Sequence, residues 1–233
     1  MKAIVINIDG RAVTASPGRT ILEIARENDI RIPTLCHLDG LPDVGSCRLC
    51  IVEANGQIVT SCTTQATDGM EVKTNTETIL HLRRTILELL FAEGNHVCSV
   101  CASNGHCELQ DLACELEMHS VNVPYAYPRN RIDASHPRFL IDRDRCVLCG
   151  RCVRVCSEVE GANTWGIADR GSGARVITDL DVDWGSAETC TSCGKCVEVC
   201  PTGAIITKGA CTAEMVKHPE AIRELTERRA RDG

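Results

Sequence analysis

Along the first 75 or so residues the apolar positions come in short runs divided by turn chemistry. Ala3, Val5 and both faces of the AIVINI segment run into Asp9-Gly10 and then RAVTA, which predicts a β-hairpin. Ser16-Pro17-Gly18 is a turn, and Ile21, Leu22, Ile24 and Ala25 crowd one face of a short helix ending near Asn28. IVEA and IVTSCTT flank Asn55-Gly56 as a second hairpin, with MEVK at 70–73 as a last strand, so a small mixed sheet with one helix is expected. From Thr76 the period lengthens. Ile79, Leu82, Ile86 and Leu89/Leu90 recur at helical spacing up to Gly94, leaving Arg83, Arg84 and Glu88 for the surface. A second helix is predicted from Glu108 to Met118. The stretch 121–138 holds three prolines and little periodicity, and reads as a linker wrapped over the surface. The tail beyond Cys211 is charged and helix-forming, which favours a solvated helix over a partner contact.

Composition changes what must hold these pieces together. There are 17 cysteines but only two Trp, two Tyr and two Phe, so an ordinary apolar core cannot dominate stability. A secreted disulfide scaffold fits poorly, because the chain is long, the cysteine count is odd and Met1–Gly10 lacks a signal-peptide apolar region. Reduced thiolates binding metal are the better reading. The net charge of −7 argues against a nucleic-acid surface, no apolar run reaches membrane-spanning length, and a cytoplasmic location is expected.

An internal repeat is the strongest feature: CVLCGRCVRVC at 146–156 matches CTSCGKCVEVC at 190–200, 44 residues on. Two copies imply a pseudo-twofold pair, each supplying one loop and one short helix. Three cysteines at C-x2-C-x2-C wrap one face of a cubane, and the fourth, three residues further, ligates the other cluster. This assigns Cys146, Cys149, Cys152 and Cys200 to one [4Fe-4S] cluster, and Cys156, Cys190, Cys193 and Cys196 to a second. Ser157 stands where the second copy has Pro201 after its last cysteine, which alters the turn and not the ligand count. Zinc is the alternative, although tetrahedral zinc usually takes two separated cysteine pairs.

Cys36, Cys47, Cys50 and Cys62 follow a β-rich start at a spacing that suits a [2Fe-2S] cluster on one long loop, with a zinc loop as the alternative. Gly40, Pro42 and Gly45 supply the turns. The middle group, Cys98, Cys101 and Cys107, needs a fourth ligand for a third [4Fe-4S] cluster. His96 is chosen because residues two apart in an extended segment point the same way, and neutral imidazole binds iron; Cys114 and His106 are the rivals. Otherwise Cys114 and Cys211 read as small buried hydrophobes, and GSGAR at 171–175 as a loop.

The domain order, FAEGNHVCSVC, CELQDLACELEM and VITDLDVDWGSAETCTSCGKCVEVCPTGAI together resemble the diaphorase iron-sulfur subunit of bidirectional, NAD(P)-linked nickel-iron hydrogenases over nearly the whole chain. The first two regions also resemble the start of the complex I large iron-sulfur subunit and of iron-only hydrogenases. In those proteins the histidine more typically lies four residues before the first cysteine. The chain's end at Gly233 favours the stand-alone subunit.

The resemblance implies an α+β architecture: a ubiquitin-like β-grasp [2Fe-2S] domain (1–76), a small helical domain with one histidine and three cysteine ligands (77–120), a linker (121–136), a two-cluster ferredoxin-like domain (137–210) and a helical tail (211–233). It implies one [2Fe-2S] and three [4Fe-4S] clusters, no catalytic residues, and a relay between a flavin/NAD(P)-binding diaphorase subunit and the hydrogenase small and large subunits. The equivalent relay of an NAD-linked formate dehydrogenase or iron-only hydrogenase is the alternative, and a non-redox zinc scaffold a more distant one.

Overall fold

A computed structural model describes residues 3–232. β1 (Ile4–Ile8) and β2 (Arg11–Ala15) pair antiparallel, with Ile8 opposite Arg11 across the Asp9-Gly10 turn, where both residues have positive φ as a two-residue hairpin loop requires. α1 (Ile21–Glu27) starts at Thr20, whose hydroxyl accepts from the Glu23 N–H while the Glu23 carboxylate accepts from the Thr20 N–H. β3 (Ile51–Ala54) and β4 (Gln57–Thr60) form the second hairpin around Asn55-Gly56. β5 (Glu71–Lys73) then enters between the hairpins, parallel to β1 and antiparallel to β3, which gives the order β2-β1-β5-β3-β4. The core lies between this sheet and α1, formed by Ile6, Ile8, Val13, Ile21, Leu22, Ile24, Val52 and Val72. The core face of β1 is therefore Ile6/Ile8, and Ala3 and Val5 are exposed. With apolar residues on both faces of the strand, its pattern could not select the register; the turn does.

α2 (Glu77–Glu93) begins at the Thr76 cap and stops at Gly94, and α3 (Glu108–Glu115) follows a 3-10 turn at Cys98–Val100. Its buried stripe is Ile79, Arg83 and Leu87, rotated from the expected one, and Leu89 is exposed. Arg83 is not on the surface. It is fully buried, donating from Nε to the Leu49 carbonyl (3.0 Å) and from Nη2 to the Ile51 carbonyl (2.7 Å). Periodicity cannot register a cation that is buried to satisfy carbonyls of a distant loop. Leu35 and Leu49 of that loop share one core with Leu87, Leu109, Leu112 and Leu116.

Residues 121–132 carry no regular element and are held by a few contacts, including the Ala126 N–H on the Ala92 carbonyl (2.8 Å) and Asn130 on the Asp144 carboxylate. Beyond them come β6 (Phe139–Ile141), α4 (Arg151–Arg154) with a following π turn (Val155–Glu160), β7 (Trp165–Ala168), β8 (Arg175–Thr178), α5 (Lys195–Glu198) and β9 (Ile205–Thr207). β6 pairs with β9 and β7 with β8, all antiparallel. The repeat is visible in the backbone: Leu148 and Ser192 have φ +49° and +57°, and Gly150 and Gly194 have +68° and +79°. The copies part where the sequences do. The helical path continues past Ser157 in the first, whereas in the second the short helix ends at Glu198, ahead of Pro201.

α6 (Glu220–Asp232) corrects the reading of a merely solvated tail. Ile222 is buried in the same core as Leu41 and Val159, Arg229 donates to the Val159 carbonyl, and the helix approaches Gly40 so closely that a Cβ there would lie 2.6 Å from Thr226 Oγ1. The molecule is thus a multi-domain α+β protein. No helix among the described residues is long and apolar enough to cross a membrane.

Candidate metal centres

Fifteen of the 17 cysteines fall into the groups anticipated from spacing, and the fold treats the groups differently. In the first, Cys36 follows the Leu35 anchor, Cys47 and Cys50 flank the buried Leu49, and Cys62 follows β4. Cys50 and Cys62 sulfurs are 3.3 Å apart, and Cys47 Sγ accepts from the Cys36 N–H at 3.4 Å. Hydrogen bonding splits each pair: the Cys47 thiol holds Cys36 down at about 5 and is itself pushed up, while Cys62 does the same for Cys50, at about 6. The loop is clamped by His37, whose Nδ1 and Nε2 face Asp43 (2.6 Å) and Asp39 (3.0 Å).

The repeats bring their cysteines together across the pseudo-twofold. One cavity is lined by Cys146, Cys149 and Cys152 of the first copy with Cys200 of the second, among Ile141, Val176, Ala204 and Ile205. Another is lined by Cys190, Cys193 and Cys196 with Cys156, among Phe139, Trp165 and Trp184. Around the first cavity backbone amides face the sulfurs: the Leu148 N–H bears on Cys146, that of Arg151 on Cys149, and those of Thr202 and Ile205 on Cys200. Burial pushes Cys146 up to about 12 and Cys149 to about 11. Cys200 is also buried, yet Lys217 and those amides bring it below its ordinary value. Trp184 donates its indole N–H to Cys190 Sγ at 3.3 Å, and Trp165 bears similarly on Cys196.

The middle group is less convergent. Cys98 and Cys101 bracket the 3-10 turn, Cys107 precedes α3, and burial pushes Cys107 up to about 11. The His96 ring stacks edge-on to Phe91 (5.4 Å between centroids) beside Gly94, and its backbone carbonyl accepts from the Cys98 thiol at 3.4 Å. No described contact joins the imidazole to the three sulfurs. Its Nε2 is nonetheless buried and has no hydrogen-bond partner among the described residues, whereas the rivals Cys114 and His106 are exposed. Cys211 is exposed too, so neither spare cysteine is the buried hydrophobe expected. No three His, Cys, Asp or Glu side chains among the described residues converge closely enough to hold a single metal ion. In the two repeats the sulfurs ring cavities instead. There the donor set, all sulfur within apolar walls, fits iron-sulfur clusters.

The groups are also joined to one another. Arg154, between Cys152 and Cys156, donates to the carbonyls of Cys36, Pro42 (2.6 Å) and Cys149 (3.3 Å). Arg151 donates to the His37 carbonyl (2.8 Å) and makes a two-pronged pair with Glu108. Gly203 lies so close to Cys101 Sγ that no Cβ could be accommodated. Sequence reasoning missed both arginines and Gly203; only the substitution of Arg151/Arg154 for Lys195/Glu198 between the repeats hinted at them.

Three family models match successive parts of the chain: a 2Fe-2S iron-sulfur cluster binding domain at residues 1–77, the NADH-ubiquinone oxidoreductase-G iron-sulfur binding region at 83–122, and the ferredoxin-like domain of NADH-quinone oxidoreductase subunit 3 at 137–206. The NAD-reducing hydrogenase HoxS subunit gamma of Cupriavidus necator is 35% identical over 207 residues, covering 88% of each chain. The chain belongs to the diaphorase-type iron-sulfur subunits of NAD(P)-reducing hydrogenases. A chain in a crystal structure of an NAD+-reducing [NiFe]-hydrogenase in the H2-reduced state superposes with this family member at a TM-score of 0.85, with 40% identity over 89% of this chain and 88% of that one. The NADP-reducing hydrogenase subunit HndD of Solidesulfovibrio fructosivorans is 39% identical over 88% of this chain, which spans 36% of that protein.

Proposed function

We propose that this diaphorase-type subunit is a non-catalytic electron relay between a flavin/NAD(P)-binding subunit and the small and large subunits of a nickel-iron hydrogenase. The reading assigns one [2Fe-2S] cluster to Cys36, Cys47, Cys50 and Cys62, and three [4Fe-4S] clusters to His96/Cys98/Cys101/Cys107, Cys146/Cys149/Cys152/Cys200 and Cys156/Cys190/Cys193/Cys196. Residues 1–76 form a β-grasp domain, a reading supported by the order β2-β1-β5-β3-β4 with α1 packed across it. Residues 77–120, 137–210 and 211–233 form the histidine-ligated domain, the ferredoxin-like domain and the tail, with 121–136 as linker. The observation that carries the reading is that each repeat's three cysteines share a cavity with the fourth cysteine of the other repeat.

When bound, the clusters supply one-electron carriage, which suits a chain standing between two-electron nicotinamide chemistry and hydrogen chemistry on its partners. This chain's residues hold sulfur in fixed frames, exclude water with apolar walls, and direct amide and indole N–H groups at the thiolates. A formate dehydrogenase relay is the second reading, favoured by the 34% identity of a putative formate dehydrogenase from Bacillus subtilis, of which this chain spans 19%.

The test is the intact complex carrying Cys149→Ala. Hydrogen-dependent NAD(P) reduction is expected to fall at least 100-fold, while each end retains its activity with artificial electron carriers. Undiminished coupling would overturn the relay role, and co-purification with a molybdenum or tungsten subunit would favour the second reading.

A further inference from the structure

Arg151 and Arg154 occupy, in the first repeat, the positions that Lys195 and Glu198 fill in the second. Cluster ligation by itself asks for neither, since the second copy keeps all its cysteines without them. The counterparts pair elsewhere, Lys195 with Glu160 and Glu198 with the His218 N–H (2.9 Å). The arginines instead reach more than 100 residues back in sequence, to the loop that holds Cys36.

Arg154 is 8% exposed, and its guanidinium donates only to carbonyls: those of Cys36, Pro42 and Cys149. No carboxylate pairs with it among the described residues, and its Nε has no partner there. Arg151 differs in having Glu108 to balance its charge. A buried guanidinium without a counter-ion is costly unless neighbouring anions offset it. The neighbours here are the backbones of one candidate ligand from each of two centres. Both guanidiniums also counter the effect of burial at the Cys149 sulfur.

We propose that Arg154 is a positioning and potential-setting residue, whose buried charge ties the Cys36 loop to Cys149 and favours the reduced state of the two centres it adjoins. Arg151 anchors the same loop, but its charge is partly offset by the Glu108 carboxylate. The physical cause is Coulombic: a fixed cation in a low-dielectric interior stabilises added negative charge nearby. The inference rests on the cluster assignment above.

The experiment is a redox titration, monitored by electron paramagnetic resonance, of the anaerobically purified complex and of its Arg154→Met, Arg154→Lys and Arg151→Met variants, each with iron and sulfide analysis. Arg154→Met is expected to lower the reduction equilibrium of both the [2Fe-2S] centre and the Cys146/Cys149/Cys152/Cys200 centre about tenfold, some 59 mV for one electron. The centre at Cys156/Cys190/Cys193/Cys196 should move far less. Arg154→Lys, which keeps the cation, should show little of that shift, and Arg151→Met should produce a smaller one than Arg154→Met. Should the Met variant lose iron, Arg154→Gln removes the charge while keeping an N–H donor, and the same shift is expected. Unchanged potentials in a charge-removing variant with full iron content, or an equal shift of every centre, would overturn the proposal. Absence of these signals from the wild-type complex would instead overturn the cluster assignment.

Discussion

The two copies of the ferredoxin repeat share ligand spacing and backbone, with left-handed residues at the same two positions of each loop, yet they sit in different surroundings. The first copy is enclosed. Its cavity is walled by aliphatic residues, and its arginines join it to the Cys36 loop and to α3. The second is walled by both tryptophans of the chain, and Cys193 is exposed. One motif therefore serves as a junction among three cysteine groups in the first copy and as a more peripheral site in the second. Spacing specifies which sulfurs share a cavity; the residues between the cysteines specify what that cavity touches.

The largest effect should come from crossing the repeats. Cys200→Ala lies in the second copy but should empty the first copy's centre of roughly four iron atoms, and Cys156→Ala should do the reverse. Iron analysis with paramagnetic spectra of each variant decides this, and loss confined to the variant's own repeat would break the comparison. Next, Gly203→Ala drives a methyl into Cys101 Sγ, an overpacking that should cost about 1–3 kcal/mol. At roughly 2–4 °C per kcal/mol for a chain this size, the melting temperature should fall measurably, with the middle centre lost first. Gly166→Ala, where the nearest atom is 3.7 Å away, should be much milder and serves as the control.

Arg83→Met tests a cation buried outside the repeats. Leaving the Leu49 and Ile51 carbonyls unpaired should destabilise by about 2 kcal/mol in denaturant unfolding. The fold tolerates this charge because burial brings Arg83 only down to about 10, so it remains protonated at neutral pH. The smallest effect is Trp184→Phe, which deletes the N–H on Cys190 Sγ. It should lower the reduction equilibrium of the second repeat's centre a few-fold and leave the first unmoved.

Elements specified by local chemistry were legible. Asp9-Gly10 and Asn55-Gly56 marked the hairpins, Thr76 the start of α2, and the 44-residue offset the paired cavities. Features created by contact between distant segments were not. Arg83 looks like a surface residue in any helical pattern, because its partners are the carbonyls of Leu49 and Ile51, far back in the sequence. Arg154 likewise finds the Cys36 carbonyl only in the folded chain. The charged face of α6 masked the single Ile222 that docks it, and an apolar residue on both sides of β1 hid its register. His96 stands between these cases: the pattern singled it out, and its buried, unpartnered Nε2 is what a metal ligand would leave.

Metal and sulfide content of the anaerobically isolated complex, read with its spectra after dithionite reduction, tests the central claim most directly. The account predicts about 14 iron and 14 acid-labile sulfide atoms in this subunit, as one binuclear and three cubane centres with paramagnetic reduced states. Zinc in place of iron, in a subunit silent to paramagnetic resonance, would contradict it.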